Sequence, residues 1–287
     1  MKPFISRTLR GFLTAFLCWP LLMFAQIEQG GIPRSFTLKS SPAASSVVDI
    51  SPPNADSIAI QDYRDAMLEK PYRMGVVVPV SFSMDNNGVW SNVAGGRLWI
   101  LHLRCKGARA LTLYYDRFFL PEGSDLFIYS PGGKDVAGAF TPVNNTGNNS
   151  FATRLIPGEE TVLEYFEPYG CDSRAEISIS GVLYVYRSAE VPELKNGDDY
   201  GGSGSCEVNV NCTEGDSWKD QKQGIARVLT RIGSSAFWCS GSLLNNTQQD
   251  FSPVFITASH CALNEYNAQV ATISDLQQWI FYFNYES

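Results

Sequence analysis

Cys239-Ser-Gly-Ser-Leu-Leu-Asn245, followed by Val254-Phe-Ile-Thr-Ala-Ser-His260-Cys261, is the pair of stretches from which the chain is best read. Each begins with a run rich in strand-forming residues. The second run heads into a core as a strand, and Ser259-His260 sits where that strand ends. Cys261 follows at once. A histidine held rigidly at a strand end suits proton transfer, because the ring must keep a fixed place between its partners.

The flanking C-terminal region repeats the pattern. Gly224-Ile-Ala-Arg-Val-Leu-Thr-Arg-Ile232, Trp238-Cys-Ser-Gly-Ser-Leu-Leu244 and Trp279-Ile-Phe-Tyr-Phe-Asn-Tyr285 read as strands of one β domain. Upstream, Val76-Val-Val-Pro-Val-Ser-Phe82, Arg97-Leu-Trp-Ile-Leu-His-Leu-Arg104, Leu111-Thr-Leu-Tyr-Tyr115, Asp125-Leu-Phe-Ile-Tyr129, Thr161-Val-Leu-Glu-Tyr-Phe166, Ala175-Glu-Ile-Ser-Ile-Ser180 and Val182-Leu-Tyr-Val-Tyr186 form a second series. Asn86-Asn-Gly, Pro121-Glu-Gly, Pro131-Gly-Gly and Pro157-Gly-Glu punctuate it. Short strands with Gly/Pro turns predict an all-β chain with an antiparallel sandwich or jelly roll here.

The expected organisation has five parts. Residues 1–25 are a signal peptide: Lys2, Arg7 and Arg10 precede an apolar run from Phe12 to Phe24, then Ala25. The run is too short for a comfortable membrane span, so the chain is expected to be secreted, periplasmic or on the cell surface, with no stable span once the signal is removed. Residues 26–71 are linker-like, rich in Ser, Pro, Ala and Gly, with a short helical turn from Asp62 to Leu68. The sandwich occupies 72–190. A second linker at 191–205 holds a processing site near Gly201, whose cutting is expected to release the sandwich. Residues 206–287 are the β domain that carries His260.

Composition excludes some classes. The 287 residues are 44% hydrophobic and 18% charged, ordinary for a globular protein. A net charge of -7 with no basic stripe argues against nucleic acid. Of 7 Cys, Cys18 leaves with the signal, so Cys105, Cys171, Cys206, Cys212, Cys239 and Cys261 remain. Export permits disulfides. A Cys105–Cys171 pair is one candidate, although spacing alone does not set geometry. Cys206 and Cys212 are the one tight pair and His102 and His260 the only histidines, so neither a metal nor another cofactor is expected. His102, among aliphatic neighbours, reads as structural.

From Gly201 onward the chain resembles the start of the mature bacterial lysyl endopeptidases, secreted serine proteases of the trypsin-like clan. The resemblance rests on Gly-Ser-Gly-Ser-Cys206, Val208, Cys212, Glu214-Gly-Asp216, Ser240-Gly-Ser-Leu-Leu-Asn-Asn-Thr247 and Phe255-Ile-Thr-Ala-Ser-His260-Cys261. Gly30-Gly-Ile-Pro-Arg-Ser-Phe36 and Lys70-Pro-Tyr-Arg-Met-Gly75 are similar to propeptides of secreted bacterial proteases. The resemblance implies an incomplete trypsin-like β-barrel after the sandwich. It implies that His260 is the general base and that Cys239 pairs with Cys261. Cys206 and Cys212 match cysteines that pair with later ones, which this chain does not contain. A protein or peptide substrate and an intramolecular contact between propeptide and protease segment are implied as well.

The rest of a triad is not in this sequence. In this clan aspartate follows histidine by roughly 45 residues. Only 27 residues follow His260, and their one aspartate, Asp275, reads as a surface loop residue. Gly215-Asp-Ser217 precedes His260 and continues as Trp-Lys, so it reads as a turn. The expectation is a precursor fragment of a serine endopeptidase, inactive as this chain. The alternative is a non-catalytic secreted binding protein, built on the sandwich and carrying a protease remnant.

Overall fold

A computed structural model of the chain describes residues 27–38, 46–67, 73–187, 210–250, 252–263 and 271–285. The expected signal peptide, the Gly201 processing site and Cys206 lie outside them.

The strands are β1 (Val47–Ile50), β2 (Arg73–Ser83), β3 (Val89–Val93), β4 (Gly96–Cys105), β5 (Ala110–Phe119), β6 (Asp125–Tyr129), β7 (Val136–Phe140), β8 (Phe151–Ala152), β9 (Ile156–Pro157), β10 (Glu160–Pro168), β11 (Glu176–Val185), β12 (Ile225–Ile232), β13 (Ser235–Leu244), β14 (Val254–Thr257) and β15 (Ile280–Phe283). Among the described residues the α-helices are α1 (Ala55–Met67), α2 (Lys219–Lys222) and α3 (Ile273–Leu276). The chain is all-β, as its pattern of short strands and turns implies.

Two sheets result. The first has six strands in the order β1-β4-β10-β6-β7, with β3 also on β4. β3 pairs with the first half of β4 and β1 with the second half, so one edge of β4 is filled by two short strands. The second sheet has nine strands in the order β15-β12-β13-β2-β11-β5-β8, with β14 on β13 and β9 on β5. The sheets face each other across a core of Trp99, Leu101, Leu103, Leu113, Phe118 and Leu163, among others.

The second sheet runs through both strand series without a break. β2 lies between β11 and β13. Its central strands are therefore covered on both faces. In β5, Leu111, Leu113 and Tyr115 point into the core between the sheets, while Ala110 and Tyr114 join Leu229, Ala236 and Ile280 on the other face. Alternate residues of a strand face opposite ways, so a strand buried on both faces reads as a continuous apolar run. That is the physical sense of Leu111-Thr-Leu-Tyr-Tyr115.

Two readings of 26–71 are corrected. Val47–Ile50 is a parallel strand against β4, not loose linker. Residues 27–37 lie on the first sheet: Gly30 N donates to Gly138 O (3.0 Å), Arg34 pairs with Asp125 (2.9 Å), and Phe36 packs edge-on against Tyr129. Serine and proline content hid these contacts, because their partners, Gly138, Asp125, Tyr129 and β4, lie far along the chain. The helix also begins earlier than expected, at Ala55. Asn54 Oδ1 accepts the Ser57 amide (2.8 Å), a side-chain cap that follows two prolines.

The Cys105–Cys171 candidate is overturned, since both thiols are free. β4 and β10 run antiparallel, with Arg104 opposite Glu160 and Gly96 opposite Pro168. Cys105 thus sits at one end of the ladder and Cys171 beyond the other, a separation on the order of 25 Å at strand rise. A disulfide needs Cα atoms within about 7 Å. Burial instead pushes the Cys105 thiol up to about 11.

Candidate active site

β14 delivers the histidine. It pairs with the end of β13, Gly241 opposite Thr257 and Leu244 opposite Val254. After Thr257 the chain tightens into a 3-10 turn, Ser259–Ala262. Cys261 N donates to Ala258 O (3.0 Å) and Leu263 N to His260 O (3.3 Å), which sets the histidine's backbone. Its side chain is exposed.

Cys239 on β13 and Cys261 are joined, with Cα atoms 6.0 Å apart. Thr257 reinforces the corner, since its hydroxyl donates to Ser240 O (2.8 Å). Cys261 is buried among Val228, Ile232, Phe237 and Trp279, so the residue beside His260 is anchored in a core. The crosslink spans a sequence separation of 22. In the chain-entropy account such a loop is worth about 3 kcal/mol. The Cys239→Ser/Cys261→Ser variant should lose that much in denaturant melts. A loss under roughly 1 kcal/mol would mean that the loop is not constrained by the bond.

A His260 ring nitrogen and both sulfurs lie within 4.8 Å of one another. That cluster does not serve a metal, because the thiolate is the ligand form and sulfurs bonded to each other have none to offer. The other histidine, His102, has its Nε2 2.8 Å from Glu160 Oε2 across the first sheet.

Two features differ from the reading of the sequence. β14 does not run into the core. Val254 and Ile256 are exposed, because β13 is its strand neighbour and its outer edge faces no other described strand. Asp275 is not a surface loop residue. It is 5% exposed, and its Oδ2 accepts from Thr272 N (2.9 Å) and Thr272 Oγ1 (2.8 Å), capping α3. Its other oxygen lies 3.5 Å from Arg231 Nε. That carboxylate is committed to the cap and the arginine, so it does not orient His260. Gly215-Asp-Ser217 lies in an exposed 3-10 helix, Thr213–Trp218, with Asp216 3.6 Å from Lys219. Cys212 is exposed and free.

Between β14, β15 and the sandwich loops lies a cavity of 670 Å³, walled in part by Phe140, Phe151, Phe255, Trp279 and Phe281. His260 is not part of its wall.

The geometry is a disulfide-pinned, exposed histidine at the end of an antiparallel strand. Residues 200–287 match the family described as the C-terminal domain of lysyl endopeptidase. This stretch is similar to the lysyl endopeptidase family. A lysyl endopeptidase of Pseudomonas aeruginosa is 26% identical over 166 residues, covering 56% of this chain and 32% of that protein. The chain thus spans about a third of the length of that lysyl endopeptidase. Among solved structures, PliG of Aeromonas hydrophila, a periplasmic lysozyme inhibitor of g-type lysozyme, aligns with a TM-score of 0.21 and 10% identity, over 50% of this chain and 99% of PliG. Among the described residues, no helix is long and apolar enough to cross a membrane.

Sequence reasoning missed the residues that join the C-terminal segment to the sandwich. Gln278 Nε2 donates to Tyr115 O (2.9 Å), and Leu155 N donates to Tyr282 Oη (3.1 Å). The apolar continuity of β5 was the available signal.

Proposed function

We propose that residues 206–287 are the histidine-bearing part of a secreted serine endopeptidase domain of lysyl endopeptidase type, and that 72–190 are its pro-domain. The observation that carries this is His260, held in a short turn between a strand and a disulfide whose Cys261 end is buried. In the complete enzyme His260 would take the proton from a serine hydroxyl as that oxygen attacks the peptide carbonyl, and return it to the leaving amine. The aspartate that sets the imidazole tautomer and the serine would both come from chain that follows this sequence in the family.

A polypeptide of these 287 residues would then be catalytically silent. It has no Gly-Asp-Ser-Gly-Gly loop after His260, and hence neither nucleophile nor oxyanion donors placed by one. The purified chain is expected to show no turnover of lysyl p-nitroanilide or lysyl peptide substrates and no labelling by a fluorophosphonate. Turnover abolished by His260→Ala would overturn the proposed silence while keeping the histidine's role. Turnover unaffected by that change would overturn both.

A further inference from the structure

We infer that two copies of this chain join edge to edge through β14, antiparallel about a two-fold axis at Phe255, so that the second sheet continues from one copy into the other. The inference does not rest on any catalytic role of His260.

The direction of the backbone groups supports it. Leu243 N donates to Gly224 O (2.8 Å), on the β12 side of β13. Successive residues of a strand turn their N–H and C=O to opposite sides, so antiparallel partners alternate between exchanging both bonds and exchanging none. Leu243 therefore turns its groups away from β14, and Phe255, which stands opposite it, turns its own outward from β13. Thr257, opposite Gly241, does the same. No other described strand takes this edge. A second β14, antiparallel about Phe255, satisfies it. The two Phe255 residues exchange both bonds, and each Thr257 N–H meets the Pro253 carbonyl of the other copy. Proline has no N–H to give, so it ends the pairing without blocking it.

The side chains complement themselves in the same register. On one face, Val254 falls beside Ile256 of the second copy, and Leu244 already stands beside Val254 across the ladder. All three are exposed in the single chain. Joining closes Leu244, Val254 and Ile256 of both copies into one apolar row. On the other face the Phe255 rings, each edge-on to its own Phe281 (4.9 Å), flank the axis. Clustered exposed apolar side chains of this kind mark an interaction surface.

Charge points to a second copy as the occupant. Edges that stay single are guarded by charge, lysine above all. From Ile232 to Ser287 the sequence has no lysine or arginine, and β14 itself carries no charged side chain. Asp250 and His260, both exposed, lie five residues either side of Phe255. Continued outward, the register that sets Val254 against Ile256 carries Asp250 of each copy toward His260 of the other. The two carboxylates stay at opposite ends of the joint, and each approaches an imidazole instead of its own kind. The same patch serves both copies, so association closes at two.

The test uses the chain from Gln26 onward, which holds every described residue, with Cys171, Cys206 and Cys212 replaced by serine so that no disulfide between copies imitates the pairing. Sedimentation velocity from about 1 μM upward should show a monomer giving way to a dimer. A monomer at every concentration, or growth beyond a dimer, would overturn the inference. Ile256→Lys puts an ammonium on the edge at a position that is already exposed. It should weaken association roughly ten-fold or more and leave the thermal transition in place. Association as strong as before would refute the assigned edge. The register has its own readout. Val254 and the second copy's Ile256 form a pair without mutual hydrogen bonds, with Cα atoms about 4.5 Å apart, within disulfide range. A mixture of Val254→Cys and Ile256→Cys chains should therefore oxidise to a dimer crosslinked between positions 254 and 256, read by peptide mass spectrometry. A mixture that crosslinks no more than either chain alone would overturn the proposed axis.

Discussion

Trp99→Ala is expected to destabilise the chain by about 3–5 kcal/mol, a large share of the stability of a typical domain. Trp99 lies on β4, faces the interior between the two sheets and is fully buried. Its indole Nε1 donates to Asn87 O (2.9 Å), so the ring also secures the turn before β3. Trp90 stands opposite it in the ladder. Gly88, at φ +78°, passes directly over the ring, and an added Cβ there would lie 2.5 Å from Trp99 Nε1. Neighbours this close cannot all collapse into the vacated space, so a cavity remains and adds to the lost transfer energy. Denaturant melts of the two chains measure the difference. A cost near 1 kcal/mol would mean that the turn and strands repack freely around the gap. Trp99→Phe should cost less than Trp99→Ala, because it keeps most of the ring and loses the hydrogen bond.

Asp62→Ala is expected to cost about 3–5 kcal/mol, and for a different reason. The Asp62 carboxylate on α1 accepts from Arg73 Nη2 (2.8 Å) and Tyr186 Oη (2.9 Å), and lies 2.7 Å from Arg187 Nη2. The Asp62 and Arg73 side chains are 11% and 6% exposed. Removing the carboxylate leaves a guanidinium buried without its nearest counter-charge. Ile60, Tyr63 and Met67 on the helix face solvent, and the residues it buries include Asp65, so polar groups rather than an apolar stripe mark its inner face. The double variant Asp62→Ala/Arg73→Met should recover most of the loss, because the buried charge goes with its partner. A double variant as unstable as the single one would show that the helix needs the carboxylate itself.

The sandwich was legible because its strands are short runs of strand-forming residues and its turns carry glycine and proline where sharp reversal is needed. His260 was legible for a similar reason. A strand, a histidine and a cysteine in immediate succession describe local backbone, and the structure adds the disulfide, buried at Cys261, that holds it. Asp275 was misjudged because its role is a cap on Thr272 combined with a charge from Arg231, and only the second partner is remote in sequence. Cys105 and Cys171 went wrong through the same kind of distance: an antiparallel ladder carries them to opposite ends of one strand pair.

Residue order alone settles the all-β character, the turns and the short-range setting of the histidine, since these depend on neighbours a few positions apart. Which strand lies beside β13 is another matter. A free strand edge offers the same amides and carbonyls to any extended partner, so the choice of β2 is made by packing. Gly75 must clear Leu183, Ala236 must enter a pocket between Met74 and Tyr114, and Gln278 must reach the Tyr115 carbonyl. Those conditions are met only once residues far apart in the chain are brought together, and for that reason the single sheet running through both parts of the protein belongs to its tertiary structure.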